Sequence, residues 1–390
     1  MERLNRLRPL LRSFADQGPP GCSCMVVHNG TIVFEDYVGY ADAEKQQPVT
    51  ADTIFRIFSM TKVVTCTAAL LLYERGLYLL NDPLENYLPE FNKPMVYRNE
   101  GGEWTAVPAS RSIRVKDLFT MSSGITYAGE NSETERRTAE LSSGPLPSSK
   151  DGVPLNVRGL AKELAAIPLA FDPGTRWQYG FSHDVLGALI EVLSGKSLGQ
   201  FLQDEIFGPL QMIDTSFRIP EEKRHRLAAM YYRDDEGNRT ATSDFNAFYE
   251  PETVFESGGA GLLSTLGDYA RFASMMALGG ELDGVRILSP RTIDLMAANQ
   301  LIANQMKDYN WSYLAGYGYG LGVRTMMDPA AAGSTSSVGE FGWSGLAGTW
   351  TLIDPKEKLA AVYMQQMLPN LEAYHQPRLR NLISSAIVQV

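Results

Sequence analysis

Ser59 and Lys62 lie three residues apart in "FRIFSMTKVV", at the polar start of an otherwise apolar run. On a helix, positions i and i+3 share a face, so the lysine amine would sit beside the serine hydroxyl. Serine is a poor nucleophile until a neighbouring base takes its proton, and a lysine that is neutral during the reaction could take it. Partial burial against Val63 and nearby positive charge would favour the neutral amine. A helix N-terminus would also favour negative charge developing at the serine. The same spacing equally describes a serine cap followed by a solvated lysine, and alone it leaves both readings open.

Tyr179, in "PGTRWQYGFSHD", follows a Pro-Gly turn and precedes a helical pattern. Held near Ser59 and Lys62, its phenol could relay a proton; elsewhere it would be a packed ring with a bonded hydroxyl. "GEFGWSGLAGTWTLID" sets Gly342, Gly345 and Gly348 around Trp343 beside a strand-like run. Small residues let backbone N–H groups approach a substrate oxygen, as an oxyanion hole requires. A glycine-rich strand entry reads the same way. A rival serine, Ser197, stands in the G-x-S-x-G pattern Gly195-Lys196-Ser197-Leu198-Gly199. That elbow needs a strand before it. Here Val185, Leu186, Leu189, Val192 and Leu193 recur at helical spacing, which makes Gly195 a helix stop and Ser197 the next cap. His225 and His375 downstream keep a triad possible by inventory.

These residues need elements to hold them. "CSCMVVHNGTIVFEDYVGYAD" alternates around Asn29-Gly30, a hairpin signal. "SMTKVVTCTAALLLYERG" reads as a buried helix stopping at Gly76. "SRSIRVKDLFTMSSGITY" predicts a short helix ending in a Ser-Ser-Gly loop, and 128–156 predicts a long polar loop or lid. Two amphipathic helices follow Tyr179, and "GGAGLLSTLGDYARFASMMALGG" gives another behind a glycine-rich turn. "YGYGLGVRTM", "GTWTLIDP" and "LAAVYMQQM" read as strands, and "PRLRNLISSAIVQV" as a last helix. The expected fold is α+β. Residues 1–90 and 255–390 would form a lobe with a central antiparallel sheet flanked by terminal helices, and 91–254 an inserted, mostly helical lobe. The cleft between lobes is the expected ligand site.

Composition narrows the chemistry. The 390 residues carry a net charge of −10 without a basic block, which argues against nucleic acid as a partner. No segment approaches ~18 consecutive apolar residues, so no membrane span is expected. The N-terminal run with Leu4, Leu7, Leu10, Leu11 and Phe14 reads as a surface helix rather than a signal peptide. Cys22, Cys24 and Cys66 fit buried thiols in a reducing compartment, giving an expected cytoplasmic location. His28, His183, His225 and His375 are dispersed, so no catalytic metal is expected, and His183 is read as a helix-surface residue. No phosphate-binding glycine motif supports a nucleotide, and no cofactor is expected. Trp104, Trp177, Trp311 and Trp350 are read as packing residues or pocket walls.

Taken together and in order, "FRIFSMTKVVT", "IRVKDLFTMSSGITY", "FDPGTRWQYGFSHDVLGALIEVLSG", "GGAGLLSTLGDYARFA" and "FGWSGLAGTWTLIDP" resemble the serine β-lactamase and penicillin-binding protein superfamily over nearly the whole chain. The sequence is most similar to the class C β-lactamase-related family VIII carboxylesterases. The resemblance implies a β-lactamase/transpeptidase-like fold and an acyl-enzyme on Ser59, with Lys62 and Tyr179 as the general-base pair. Trp343-Ser344-Gly345 would occupy the place of the β-lactamase Lys-Thr-Gly triad, the N–H groups of Ser59 and Leu346 would form the oxyanion hole, and Tyr127 would line the acyl pocket. Two departures shape the substrate expectation. Phe181 stands where β-lactamases have an asparagine that holds the lactam side chain, and Trp343 replaces the lysine that would meet a lactam carboxylate. Both favour short-chain esters over β-lactams, with slow lactam turnover left open. Acyl transfer and D-stereospecific peptide hydrolysis are alternatives on the same scaffold, and a non-catalytic binding module is a third class.

Overall fold

Alternation at the two ends of the chain builds one sheet. In the strand Gly21–His28, Cys22, Cys24 and Val26 point to one face and Met25 and Val27 to the other. In Leu359–Met364, Leu359, Ala361 and Tyr363 share the first face, and Ala360, Val362 and Met364 the second. A strand buried on both faces has to be covered by a layer on each side. The computed structural model, which describes residues 2–142, 146–149 and 151–387, supplies both layers. The helices Leu7–Gln17 and Glu372–Ala386 cover one face through Leu7, Leu11, Phe14, Leu379 and Ile383. The helix Leu266–Ala277 covers the other.

The sheet is eight-stranded and antiparallel, in the order Tyr317–Tyr319, Arg324–Met326, Phe341–Gly342, Trp350–Asp354, Leu359–Met364, Gly21–His28, Thr31–Asp42 and Gln47–Pro48. N- and C-terminal strands therefore pair directly, Met25 facing Val362 across the ladder. Asn29 and Gly30 both adopt positive φ, 50° and 74°, as the tight hairpin turn requires.

Between the terminal strands in sequence lie the helices that carry the site. The helix Thr61–Glu74 is buried without interruption from Thr61 to Leu72, which explains its lack of a polar stripe. It packs against the helix Ser182–Ser194, which is also covered by Val157–Ala165 and Val115–Phe119. The region 91–254 also carries strands: the hairpin Met95–Glu100/Glu103–Pro108, whose Tyr97 N–H donates to the Leu169 carbonyl at 3.0 Å, and the pair Met230–Arg233/Arg239–Thr242. The segment 128–156 is not simply a loop. Ser132 accepts from the Glu135 N–H and Glu135 reaches back to the Ser132 N–H, a capping box that starts the helix Glu133–Ala139. Outside 133–142 the described part of this stretch stays irregular, and its Leu146 and Pro147 border a cavity that reaches Ser59; residues 143–145 and 150 lie outside the described part. The last helix also begins earlier than Pro377, at Glu372.

Candidate active site

The strand Ile54–Arg56 pairs with Leu263–Thr265, and Ile57 N–H continues the pairing to the Leu262 carbonyl at 3.1 Å. The chain then turns through a short 3₁₀ segment, Phe58–Met60, into the helix Thr61–Glu74. Phe58 takes φ 43°, a left-handed conformation unfavourable for a bulky residue. It is held there by burial and by an edge-on contact with Phe245 at 5.2 Å. Ser59 thus sits on a constrained turn at the helix entrance, not at a solvent cap.

Lys62 is completely buried, and its three ammonium protons have three acceptors: Ser59 Oγ at 3.2 Å, Tyr127 Oη at 3.0 Å and the Gly259 carbonyl at 2.7 Å. Desolvation works to lower its pKa, but the phenolic oxygens of Tyr127 and Tyr179 and the carboxylate of Asp184 outweigh it and hold Lys62 above its ordinary value. Burial arrives here together with acceptors, so burial by itself does not favour the neutral amine as the sequence suggested. A Cβ at position 259 would lie 2.6 Å from Asp184 Oδ2 and 3.4 Å from Lys62 Nζ, so this close approach requires glycine.

Tyr179 comes to the same place from the loop that leads into the helix Ser182–Ser194. Lys62 Nζ lies 4.5 Å from its ring centroid, and Trp343 Nε1–H donates to its hydroxyl at 3.0 Å with the two rings stacked. Trp343 is therefore more than the apolar wall inferred from its letter. Tyr127 packs edge-on against both Tyr179 and Phe181, at 5.6 and 4.6 Å. The loop after Trp343 reaches the serine turn because residue 345 is glycine: a Cβ there would lie 2.4 Å from the Ile57 carbonyl. Among the described residues the N–H groups of Ser59 and Leu346 make no hydrogen bond to a protein acceptor. Ser344 Oγ instead donates to Glu372 Oε2 at 3.1 Å.

Two cavities meet at this cluster, and Ser59, Tyr179 and Leu346 border both. The larger, ≈ 430 Å³, is walled mainly by Phe58, Tyr127, Phe181, Phe248 and Phe255. The smaller, ≈ 300 Å³, is walled by Trp311, Tyr313, Trp343 and Glu372.

Two residues near Lys62 gave no usable signal in the sequence. Asp184 is fully buried; its Oδ1 accepts from Ser257 Oγ at 2.5 Å and from Gly259 N–H at 3.2 Å, and burial raises its pKa. His183, expected on a helix surface, is also fully buried, beside Cys66 and 3.1 Å from the Phe119 carbonyl. Burial, then the Lys62 charge, pushes it down to about 3, so it stays neutral. The periodicity of its helix hid this, because Ser182–Ile190 is buried on every side. Ser197 caps the helix Leu198–Leu202 through the Gln200 N–H, and Gly195 is the left-handed stop of the preceding helix, so no nucleophile elbow exists there. Among the described residues no cluster of His, Cys, Asp and Glu could hold a metal.

Sheet, lobe and seam are those of the β-lactamase/transpeptidase-like fold, and the protein is a serine hydrolase of that class. The chain belongs to the Beta-lactamase family, whose match spans residues 7–383. Protein Rv1367c of Mycobacterium tuberculosis is 32% identical over 370 residues, covering 93% of this chain and 89% of that protein. Esterase EstB of Burkholderia gladioli is 28% identical over 86% of this chain and 82% of its own length. The solved structure of EstCE1, described as a hydrolase with promiscuous acyltransferase activity, superimposes with a TM-score of 0.83 over 98% of this chain and 99% of its own, at 22% identity.

Proposed function

We propose that this protein is a carboxylesterase that cleaves short-chain carboxylic esters through an acyl-enzyme on Ser59. The observation that carries this reading is the fully buried Lys62 ammonium donating to Ser59 Oγ where two cavities meet. Lys62, 3.2 Å from Ser59 Oγ, and Tyr179, whose ring lies 4.5 Å from Lys62 Nζ and whose hydroxyl accepts from Trp343 Nε1–H, act as the general-base pair.

Ser59 Oγ attacks the ester carbonyl while its proton passes into the Lys62–Tyr179 pair. The carbonyl oxygen becomes the oxyanion, facing the free N–H groups of Ser59 and Leu346. Collapse breaks the acyl carbon–alkoxide bond, and the pair returns the proton to the departing alcohol. Water then attacks the acyl-enzyme and gives its proton to the pair; release of the carboxylic acid returns that proton to Ser59. The apolar cavity suits a short acyl chain, and the esterase EstB relationship supports this substrate class.

The test is intact mass after reaction with p-nitrophenyl butyrate or a phosphonate. An adduct on Ser59, absent in Ser59→Ala together with at least ~10³-fold loss of turnover, is expected. Labelling elsewhere, or activity that survives Ser59→Ala but not Ser197→Ala, would overturn it. Acyl transfer is a second reading: the two cavities sharing Ser59 could hold acyl group and acceptor alcohol at once, and EstCE1 carries both activities in its description. Product ratios with added alcohol separate transfer from hydrolysis.

A further inference from the structure

Each cavity has one carboxylate in its wall, but the two stand in different surroundings. In the larger it is Asp184, fully buried, engaged at Oδ1 by Ser257 and Gly259 and facing the Lys62 amine. In the smaller, Tyr179, Trp311, Tyr313 and Trp343 present aromatic rings, and Glu372 is the single formally charged wall residue. The rings form a connected wall. Trp311 stacks on Tyr313 with an interplanar angle of 10°, meets Tyr179 edge-on at 5.8 Å, and lies 6.2 Å from Trp343.

Glu372 is held by neutral partners: Ser344 Oγ at 3.1 Å, Gln376 Nε2 at 3.2 Å and the hydroxyl of Tyr313. No lysine or arginine pairs with it among the described residues, and Arg378 on the same helix lies over the Tyr374 ring instead, 3.6 Å from its centroid. Neutral hydrogen bonds orient a carboxylate without cancelling its charge. An oriented, uncompensated carboxylate beside aromatic faces is the chemistry that recognises alkylammonium groups.

We propose that this smaller cavity receives the alcohol portion of the ester, and that Glu372 selects an alcohol bearing an alkylammonium group. The inference rests on the esterase reading and deepens it. Glu372 repels a substrate carboxylate on the side of Ser59 where Trp343 already offers no counter-charge.

The experiment compares kcat/KM for butyrylcholine, its uncharged carbon isostere 3,3-dimethylbutyl butyrate, and a butyrate ester whose alcohol carries a carboxylate. The ratio is taken within each protein, so a general change in activity cancels. Wild type is expected to prefer the cation over the isostere about tenfold and to disfavour the anion. Glu372→Gln should bring the cation-to-isostere ratio to about one, and Glu372→Asp, which keeps the charge, should restore part of it. A wild-type ratio near one, or a ratio unchanged in Glu372→Gln, would overturn the inference while leaving ester hydrolysis standing. If no ester is turned over, quenching of tryptophan fluorescence by choline, weakened in Glu372→Gln, would uphold the cation site and sink the esterase reading alone. Absence of quenching would then sink both.

Discussion

Two clusters of buried charge, one around Lys62 and one around Glu340, solve the same problem for opposite ends. Glu340 is fully buried and pairs with Arg324 at 2.9 Å, accepts from Tyr317 Oη at 2.9 Å and lies 3.7 Å from Arg380. It ties the strands Tyr317–Tyr319 and Arg324–Met326 to the helix Glu372–Ala386. Lys62 is equally buried, but its partners are a hydroxyl, a phenol and a carbonyl, and two of these, Ser59 and Tyr127, border a cavity. One cluster sets a carboxylate between two guanidinium groups, and none of the three borders either cavity at Ser59. The other holds a cation mainly with neutral oxygens, so part of its field is directed at whatever occupies the cavity. Burial alone does not distinguish a structural ion from one that serves chemistry; the partners and the opening do.

The comparison breaks most visibly at Lys62. Lys62→Met should reduce kcat/KM by about 10³-fold or more while urea unfolding shows stability retained or increased, since an apolar side chain removes a buried charge. A marked fall in stability would show that the Lys62 cluster is a structural one. Glu340→Gln should do the reverse. It leaves Arg324 and Arg380 without their carboxylate and should cost about 3–5 kcal/mol in urea unfolding, with kcat/KM of the folded enzyme within a few-fold of wild type. Trp343→Phe tests the N–H that reaches Tyr179: kcat should fall about tenfold with little change in KM, because the ring wall stays and the donor goes.

The smallest effect concerns His183. Its folded pKa is depressed to about 3 from the ordinary 6.5, so between those values the unfolded chain binds the extra proton and stability rises with pH. The contribution is complete above the unfolded value and is lost as pH falls through this window, by at most about 1.4 kcal/mol per pH unit. His183→Asn should flatten the slope of unfolding free energy between pH 6 and pH 5; an unchanged slope would place the titration elsewhere.

Much of this was legible before any tertiary contact was known. Period-two alternation marked the terminal strands, Asn29-Gly30 marked the hairpin, and Gly195 with Ser197 disposed of the rival serine, because each is a local rule about φ or side-chain direction. The misreadings share a cause. His183 looked exposed and Glu133–Ala139 looked loop-like because one-dimensional polarity was read as solvent exposure. In the structure His183 is neutral inside a helix covered on all sides, and the polarity of Ser132 and Glu135 closes a capping box. Glu372 carried no signal at all, since a glutamate at a helix start is ordinary until tertiary packing sets it beside Trp311 and Tyr313.

The sequence by itself determined the family-like order of motifs, the sheet and its covering helices, and the identity of Ser59, Lys62 and Tyr179 as the residues to examine. Tertiary structure alone decided that three acceptors surround Lys62, that Trp343 donates to Tyr179, and that Glu372 stands in one of two cavities meeting at the serine. The reason is range. Propensity, capping and periodicity act within a few residues, whereas protonation, hydrogen-bond direction and cavity charge depend on groups from distant segments that only folding brings within a few ångströms.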